Sequence, residues 1–391
     1  MKCKPAWRGL GGIEGSTGDH ILGASAGIKL FDRKMEFKTI YASGGEPSGS
    51  FGISTVAGKK KGEVIGLVLR SDFLENKMTT EIETAFSEYD PDDSDEFGSE
   101  RDMATRLRVG GTFGWYNYSA MYEYIGKDYA VVGNQMIQKD KQGVNIMSGL
   151  NLFPHALNLG FSWYHDNVED DDLFPRIVNY VYSLDYSFSK VPNLPIGINY
   201  QKSIQDSTRE PAGSFSVETH TDSVSARINY SQDRINIGFQ TAYSLLNDKT
   251  PNNYDTTTIT YTFIPSYFMT GFSLTPSFSL NQSKNHPSDI WTDTYTINLD
   301  MRTAFLRERA TFELGGTYSI VKGDQDTADN STLSANFRLA YNMKHILKGF
   351  LDPIIALRGI YSKFTDDISP QADRDEFTLL FVLSAAMPFS F

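Results

Sequence analysis

The stretch Phe272-Ser-Leu-Thr-Pro-Ser-Phe-Ser-Leu280 alternates apolar residues with small polar residues over its whole length. Because successive side chains of a β-strand point to opposite faces, this order predicts a strand with one apolar and one polar face. The same alternation precedes it from Ile259 to Tyr267, and it recurs from Val178 to Phe188 and from Tyr295 to Arg302. A strand-forming pattern therefore repeats along the chain, from about Ile21 onwards.

The connections between these predicted strands alternate between short and long. Short connections are predicted at Asp32–Lys34, Pro154–Ala156, Gln232–Arg234 and Met269–Gly271, and long ones at Gly44–Gly62, Asp90–Glu100, Gly126–Gln142, Asn167–Pro175 and Ser207–Thr221. Transmembrane antiparallel barrels show this asymmetry, with short periplasmic turns and long outer loops. The pattern predicts an all-β, up-and-down transmembrane β-barrel of about 18–20 strands, and even strand numbers prevail in such barrels. Since about 19 strands are counted, we expect one more, hidden in residues 3–12 or lost with a missing N-terminus.

A soluble β-sandwich or a solenoid is the main alternative fold. Sandwich strands are shorter, at about 5–6 residues, whereas these segments run for about ten. A solenoid would show repeats of fixed period, and the sequence has none. We therefore divide the chain into an N-terminal segment, residues 1–19, and a barrel, residues 20–391.

Composition supports the barrel and excludes other classes. Hydrophobic residues make up 40% of the 391 residues, and no apolar run is long enough for a transmembrane helix. The net charge of -12 argues against a nucleic-acid partner. The single cysteine, Cys3, allows no intrachain disulfide. Met1–Asp19 contains no apolar export signal, so we expect an incomplete or reprocessed start.

The C-terminal segment ends on an aromatic residue after a long alternation. One face carries Phe377, Leu379, Phe381, Leu383, Ala385, Met387, Phe389 and Phe391. This end resembles the terminal strand of outer-membrane porins, whose final aromatic residue is read by the barrel-assembly machinery. The resemblance implies an integral protein of the Gram-negative outer membrane, surrounded by lipid and lipopolysaccharide. It also implies that Phe389 and Phe391 form the assembly signal.

The strand positions that alternate with the apolar residues include many charged residues. If apolar side chains face lipid, the lumen-facing candidates are Arg106, Arg108, Glu123, Arg227, Asp300, Arg302, Glu313, Arg338 and Arg358, together with Lys29, Glu36, Lys38, Glu81, Glu83 and Asp185. Barrels of about sixteen or more strands are too wide for side chains alone to fill them. An aqueous channel is therefore expected, unless something plugs it.

Hairpin register predicts contacts among these charges. A turn near Gly114 places Arg106 opposite Glu123. A turn near Leu306 is expected to place Asp300 opposite Glu313, with Arg302 diagonal to Glu313.

Across residues 342–350, Arg338 and Arg358 are expected to come close together. Like charges opposite each other are unfavourable unless water or an anion separates them, so this pair is a candidate anion-attracting patch. The alternation also predicts that Tyr182, Phe263, Phe278, Leu299 and Phe337 face outward and that Ser277, Asn298, Arg302 and Arg338 face inward.

The acidic loops and the histidines suggest no enzyme. Asp90–Glu96 and Glu169–Asp172 lack the spacing of a calcium-binding loop, so we interpret them as solvated. His165 with Asp166, and His220 with Asp222, could imitate a catalytic pair, but no nucleophile motif accompanies either. No catalytic residue, metal site or cofactor is predicted.

Three functional hypotheses follow. The first is a weakly selective, porin-like channel for small solutes or ions, with Gly44–Gly62 as the loop expected to fold inward. The second is a barrel that sheathes or docks a protein partner in its lumen, since the sequence is also similar to barrels around multihaem cytochromes; an export component is another such partner. The third is a structural or adhesive surface barrel.

Overall fold

The structure is a computed structural model that describes residues 20–32, 34–46, 60–75, 77–93, 98–131, 137–344, 346 and 351–386. Three sequence-based expectations concern residues outside these ranges. They are the additional strand in residues 3–12, the inward folding of most of loop Gly44–Gly62, and the assembly signal at Phe389 and Phe391.

In the described ranges, nineteen β-strands of 10 to 16 residues make up almost all of the regular structure. They are β1 (His20–Leu30), β2 (Met35–Glu46), β3 (Lys60–Phe73), β4 (Met78–Asp90), β5 (Glu100–Phe113), β6 (Tyr116–Ile125), β7 (Lys141–Leu152), β8 (His155–His165), β9 (Arg176–Phe188), β10 (Ile196–Thr208), β11 (Glu218–Gln232), β12 (Ile235–Asp248), β13 (Thr256–Met269), β14 (Phe272–Asn285), β15 (Ile290–Phe305), β16 (Ala310–Gly323), β17 (Asp329–Asn342), β18 (Leu351–Asp366) and β19 (Arg374–Ala386). Two single turns of 3-10 helix, Asp324–Asp326 and Pro370–Ala372, lie in loops. Within the described ranges, no helix is long and apolar enough to cross a membrane.

Each strand pairs antiparallel with the strand that follows it in the sequence. The register of β14 with β15 runs without interruption from Phe272–Thr303 to Asn285–Ile290. Among the described residues, β1 and β19 do not pair with each other and form the two edges of the sheet. Because neighbouring strands alternate in direction and their number is odd, β1 and β19 point the same way.

The two ends of the sheet differ in the length of their connections, as the sequence predicts. One end, which we call the short-turn end, carries tight turns such as Gly114–Trp115 and Thr270–Gly271. The other, the long-loop end, carries connections such as residues 91–99, 126–140 and 166–175. The predicted boundaries Asp90 and Glu100 coincide with the end of β4 and the start of β5.

The register assigns side chains to an apolar face and a polar face. Phe263 lies opposite Phe278, with ring centroids 6.4 Å apart, and Phe278 lies opposite Ile297. Tyr182, Phe263 and Phe278 are exposed, while Leu299 and Phe337 are half-buried. Large apolar side chains on an exposed sheet face are what a lipid-contacting surface requires.

Candidate functional site: the polar face and its inward loop

A row of alternating charges crosses the polar face from β4 to β7. Arg106 of β5 lies between two carboxylates, with Nη1 3.7 Å from Glu83 and Nη2 3.2 Å from Glu123. Lys141 of β7 completes the row, with Nζ 3.5 Å from Glu123 and 5.1 Å from the Tyr164 ring centroid. The predicted pairing of Arg106 with Glu123 is confirmed by the strand register. We call these four charged residues the first charge row.

A second charge row lies nearer the short-turn end and crosses β1 to β5. Lys29 Nζ is 3.8 Å from Glu36 Oε2, and Arg70 Nε is 2.6 Å from Glu81 Oε2. The register places Arg70 opposite Glu36 and Arg108 opposite Glu81. Bases and acids therefore alternate from strand to strand, so each charge has an opposite charge beside it. Both rows lie in what we call the charged sector, the polar face of β1–β7.

The hairpin between β15 and β16 corrects one predicted pairing. Asp300 lies opposite Gly315, so its expected pairing with Glu313 is wrong. Arg302 lies directly opposite Glu313 and not diagonal to it. The reason is the turn, because residues 306–309 separate the strands and shift the register by two residues from the one expected.

Two arginines flank one carboxylate on β15 to β17, and a third arginine lies on β18. Glu313 Oε1 is 3.7 Å from Arg302 Nε, and its Oε2 is 3.3 Å from Arg338 Nη1. Arg358 lies directly opposite Arg338, as the sequence predicts. Arg358 is exposed, and its other register partner is the apolar Leu380. We call Arg302, Glu313, Arg338 and Arg358 the arginine cluster.

The polar face of β10–β14 is built differently, and we call it the neutral sector. It carries hydroxyls and amides, namely Asn199, Gln201, Ser203, Gln205, Ser223, Ser225, Gln240, Ser244, Thr258, Thr260, Thr262, Ser277, Ser279 and Asn281. The Asn281 amide donates to Thr260 Oγ1 at 2.8 Å. All five strands are described, and their polar face carries two charged side chains, Arg227 and, at the end of β12, Asp248. Arg227 lies between Gly197 and Gln240.

The start of the connection between β6 and β7 folds onto the charged sector. We call residues 126–131 the inward loop. Its backbone is anchored at three points: Gly126 N donates to Met103 O at 3.0 Å, Asp128 N to Asp102 Oδ2 at 2.8 Å, and Ala130 N to Ser87 Oγ at 3.3 Å. Since Asp102 is four residues from Arg106 on the same strand, the loop lies on the same face as the first charge row.

Burial shows how closely this loop packs. Tyr129 and Ala130 are each 7% exposed, and Ser87 beneath them is 5% exposed. A Cβ atom at Gly126 would overlap the Asp102 carboxylate, so any larger residue here has to displace the group that accepts from Asp128 N. Burial, with a smaller contribution from the charge of Glu83, raises the pKa of the Tyr129 phenol.

Two long loops, the one after β6 and the one after β8, are tied together at the rim beyond the strands. Lys127 of the inward loop forms a 2.9 Å ion pair with Glu169 in the loop after β8. The Asp140 carboxylate accepts hydrogen bonds from the backbone of Asn167 at 2.9 Å and Val168 at 2.8 Å. The inward loop is therefore held both at the sheet and at the rim.

The acidic run Glu169–Asp172 also joins the next loop. Asp170 forms ion pairs with Arg176 and with Arg209, which follows β10. A hydrogen bond from Arg209, supported by the charge of Arg176, lowers the pKa of the Asp170 carboxyl. Glu169 and Asp170 are exposed, and both also pair with cations of neighbouring segments, which the sequence did not indicate. No group of three potential metal ligands occurs in the described part of the chain.

The two histidine–aspartate neighbours make separate structural contacts. His165 Nδ1 lies 2.7 Å from the backbone oxygen of Asp166, and the Asp166 carboxylate accepts from the backbone of Ile177. His220 lies 3.3 Å from Glu218, while Asp222 binds Lys202 at 3.1 Å. In neither pair does the histidine bond the aspartate carboxylate. That the protein is not an enzyme stays a prediction.

Sequence reasoning missed the contacts that hold the inward loop. No sequence motif includes Ser87, Asp102 or Tyr129. Their contacts form because the loop after β6 folds back onto β4 and β5, which precede it in the sequence. One available signal was Gly126, which directly follows β6 and opens a long connection. Lys141 was missed because it falls inside the predicted connection Gly126–Gln142, whereas β7 begins at Lys141.

Comparison with known proteins defines the fold. No known protein-family profile matches the chain, and no curated protein sequence matches it. The FrpB iron transporter of Neisseria meningitidis (F5-1 variant) superposes with a TM-score of 0.53 and 11% identity, covering 89% of this chain and 68% of that chain. Its F3-3 variant gives a TM-score of 0.51 and 11% identity, covering 89% and 67%. OccK3 (OpdO) of Pseudomonas aeruginosa superposes more loosely, with a TM-score of 0.42 and 9% identity, covering 90% and 94%.

The two FrpB structures are similar to this chain in fold. The fold is therefore that of the outer-membrane β-barrels, an all-β, up-and-down antiparallel transmembrane barrel with 19 described strands.

Proposed function

We propose that the chain is a porin-like channel for small solutes or ions in the outer membrane of a Gram-negative bacterium. The observation that supports the proposal is the separation of the two faces along most strands. One face carries charges, hydroxyls and amides, and the other carries mainly exposed apolar side chains, among which Lys202 and Asp222 form an ion pair with each other. A charge at mid-depth on the lipid side costs about 2–4 kcal/mol for arginine or lysine, so the polar face belongs in the lumen. A barrel of about sixteen or more strands leaves an aqueous channel there.

The inward loop gives the channel an asymmetric bore. It lies on the charged sector, where it covers Ser87 and neighbours the first charge row, while the neutral sector carries no comparable described loop. A solute therefore passes between fixed charges on one side and neutral hydrogen-bonding groups on the other. Because most charges are paired within rows, net ion selectivity is weak.

Single-channel recording in planar bilayers tests this proposal with the purified, refolded chain. We expect stable conductance steps that grow with salt concentration. If the protein conducts nothing, and neither the substitution Gly126→Val nor deletion of residues 55–61 opens it, the channel proposal fails. A barrel filled by a protein partner, or a purely structural barrel, would then replace it.

Membrane assembly forms part of the same proposal. The exposed apolar side chains, among them Tyr182 and Phe263, support contact with outer-membrane lipid and lipopolysaccharide. The barrel-assembly machinery is the proposed partner during insertion, through Phe391. Deleting Phe391 should reduce insertion in cells far more than refolding into detergent. Equal losses in both assays would show that Phe391 serves packing alone.

A further inference from the structure

We propose that the arginine cluster is a binding site for a small oxyanion, a phosphate or carboxylate group, within the channel. It lies towards the short-turn end, since Arg302 is close to the end of β15 at Phe305. The inference rests on the proposed function only in that the anion reaches the cluster through the lumen.

The cluster differs from both charge rows in its balance of charge. In the first row each base has an acid on either side or is paired with one, and in the second row acids and bases alternate. In the cluster, Arg338 and Arg358 face each other on adjacent strands with no acid between them. Three guanidinium groups and one carboxylate leave a formal charge of about +2, since arginine stays protonated in proteins.

Both oxygens of Glu313, the only carboxylate of the cluster, already lie near an arginine. One Glu313 oxygen lies near Arg302 and the other near Arg338. Within the described residues, no acidic side chain forms an ion pair with Arg358, whose register partners are Arg338 and Leu380. Arg358 is exposed and can meet an incoming solute.

A donor of the cluster also lacks an acceptor. Arg338 Nε is buried and forms no hydrogen bond. Like charges directly opposite each other across two strands are destabilising, so the bare pair of Arg338 and Arg358 is unfavourable. An oxyanion between them would offset the repulsion and accept from both guanidinium groups, whose fork geometry matches phosphate and carboxylate.

The experiment is calorimetric titration of the full-length, detergent-solubilised protein with inorganic phosphate at low ionic strength. Arg358→Gln should weaken phosphate binding about tenfold, which corresponds to about 1.4 kcal/mol. Glu313→Gln should strengthen binding several-fold, because it frees Arg302 and Arg338 for the ligand. The matched control is Arg227→Gln, which removes a polar-face arginine outside the cluster and should leave phosphate affinity unchanged.

Succinate in place of phosphate identifies the preferred oxyanion, and tighter binding of either one supports the site. Equal phosphate affinity in the parent protein and Arg358→Gln would overturn the inference, as would weaker binding in Glu313→Gln. The opposite signs keep the test decisive if one variant folds poorly. Binding in detergent needs no conduction, so a non-conducting protein with this pattern keeps the site and loses the channel. A conducting protein that binds no anion does the reverse.

Discussion

On the polar face of β1–β7, two rows of acids and bases alternate from strand to strand, whereas on β10–β14 most positions carry a hydroxyl or an amide. The first arrangement fixes specific partners, since Arg106 satisfies Glu83 and Glu123 only in one register. In the second arrangement the hydrogen-bond partners are interchangeable. Serine, threonine, asparagine and glutamine side chains can form hydrogen bonds with water as readily as with one another.

The difference shows how one wall can be specialised while the other stays permissive. The charged sector holds the inward loop through Asp102 and Ser87, so its polar groups both line the bore and position a loop. The neutral sector presents donors and acceptors without fixed charge. Together they place many fixed charges on the wall formed by β1–β7 and very few on the wall formed by β10–β14.

The largest expected effect tests whether the neutral sector faces water. Phe263→Arg puts a cation on the apolar face of β13 and should cost about 2–4 kcal/mol of unfolding free energy in lipid vesicles. Its neighbour Thr262 lies on the polar face of the same strand, so Thr262→Arg should cost far less. Urea unfolding in vesicles measures both. Equal costs would show that the two faces are not divided between lipid and water.

The next effect tests the inward loop. Gly126→Val places a side chain where the Asp102 carboxylate lies and should lift the loop from the charged sector. We expect a larger single-channel conductance, because the bore widens on that side. Gly98, in the long loop after β4, has no atom within 4 Å of an added Cβ, so Gly98→Ala is the matched control. Unchanged conductance in Gly126→Val would mean that the loop does not narrow the pore.

A smaller effect compares one arginine from each sector. Arg106→Gln leaves Glu83 without its cation and Glu123 with only Lys141, so reversal potentials should shift clearly towards cation selectivity. Arg227→Gln removes the same charge from the neutral sector, strands no acid and should shift selectivity less. The stability loss for Arg106→Gln should be about 0.2–1 kcal/mol per exposed ion pair broken. A larger selectivity shift in Arg227→Gln would contradict the division into sectors.

The smallest effect concerns the rim above the charged sector. Because the pKa of Asp170 is lowered by Arg209 and Arg176, its contribution to loop stability is present above the usual aspartate pKa and is lost as pH falls through the lowered value. We expect hydrogen exchange in residues 166–175 to be unaffected by this pair down to about pH 4. Below that pH, protection of this segment against exchange should fall, relative to an unfolded chain at the same pH. Asp170→Asn should abolish this dependence of the protection on pH. A fall in protection already at about pH 6 would point to another group.

The strand pattern could be predicted because alternation and turn residues are local properties. The register at Gly114 was predicted correctly, since the turn takes two residues and is centred on the expected position. The register at Leu306 was wrong by two residues because that turn takes four. Hairpin register depends on the number of residues in the turn, and no residue near Leu306 indicates whether that turn takes two residues or four.

The candidate site was predictable only where it lies within a hairpin. Arg338 opposite Arg358 follows from strand order, although residues 345 and 347–350 between them are not described. The inward loop was not predictable, because it joins residue 130 to Ser87 across two intervening strands. Such contacts depend on the position of the whole sheet and not on any local pattern.

The pairing of every strand with its sequence neighbour has a consequence for how the chain folds. Loop-closure entropy rises with the number of residues enclosed, and each hairpin here encloses few. Mean contact separation is therefore small for so large a sheet, and low contact order accompanies fast folding in small proteins. The sheet can grow one hairpin at a time, with each completed strand as the template for the next. Closing the sheet into a barrel requires segments far apart in sequence to meet only at its two edge strands, β1 and β19.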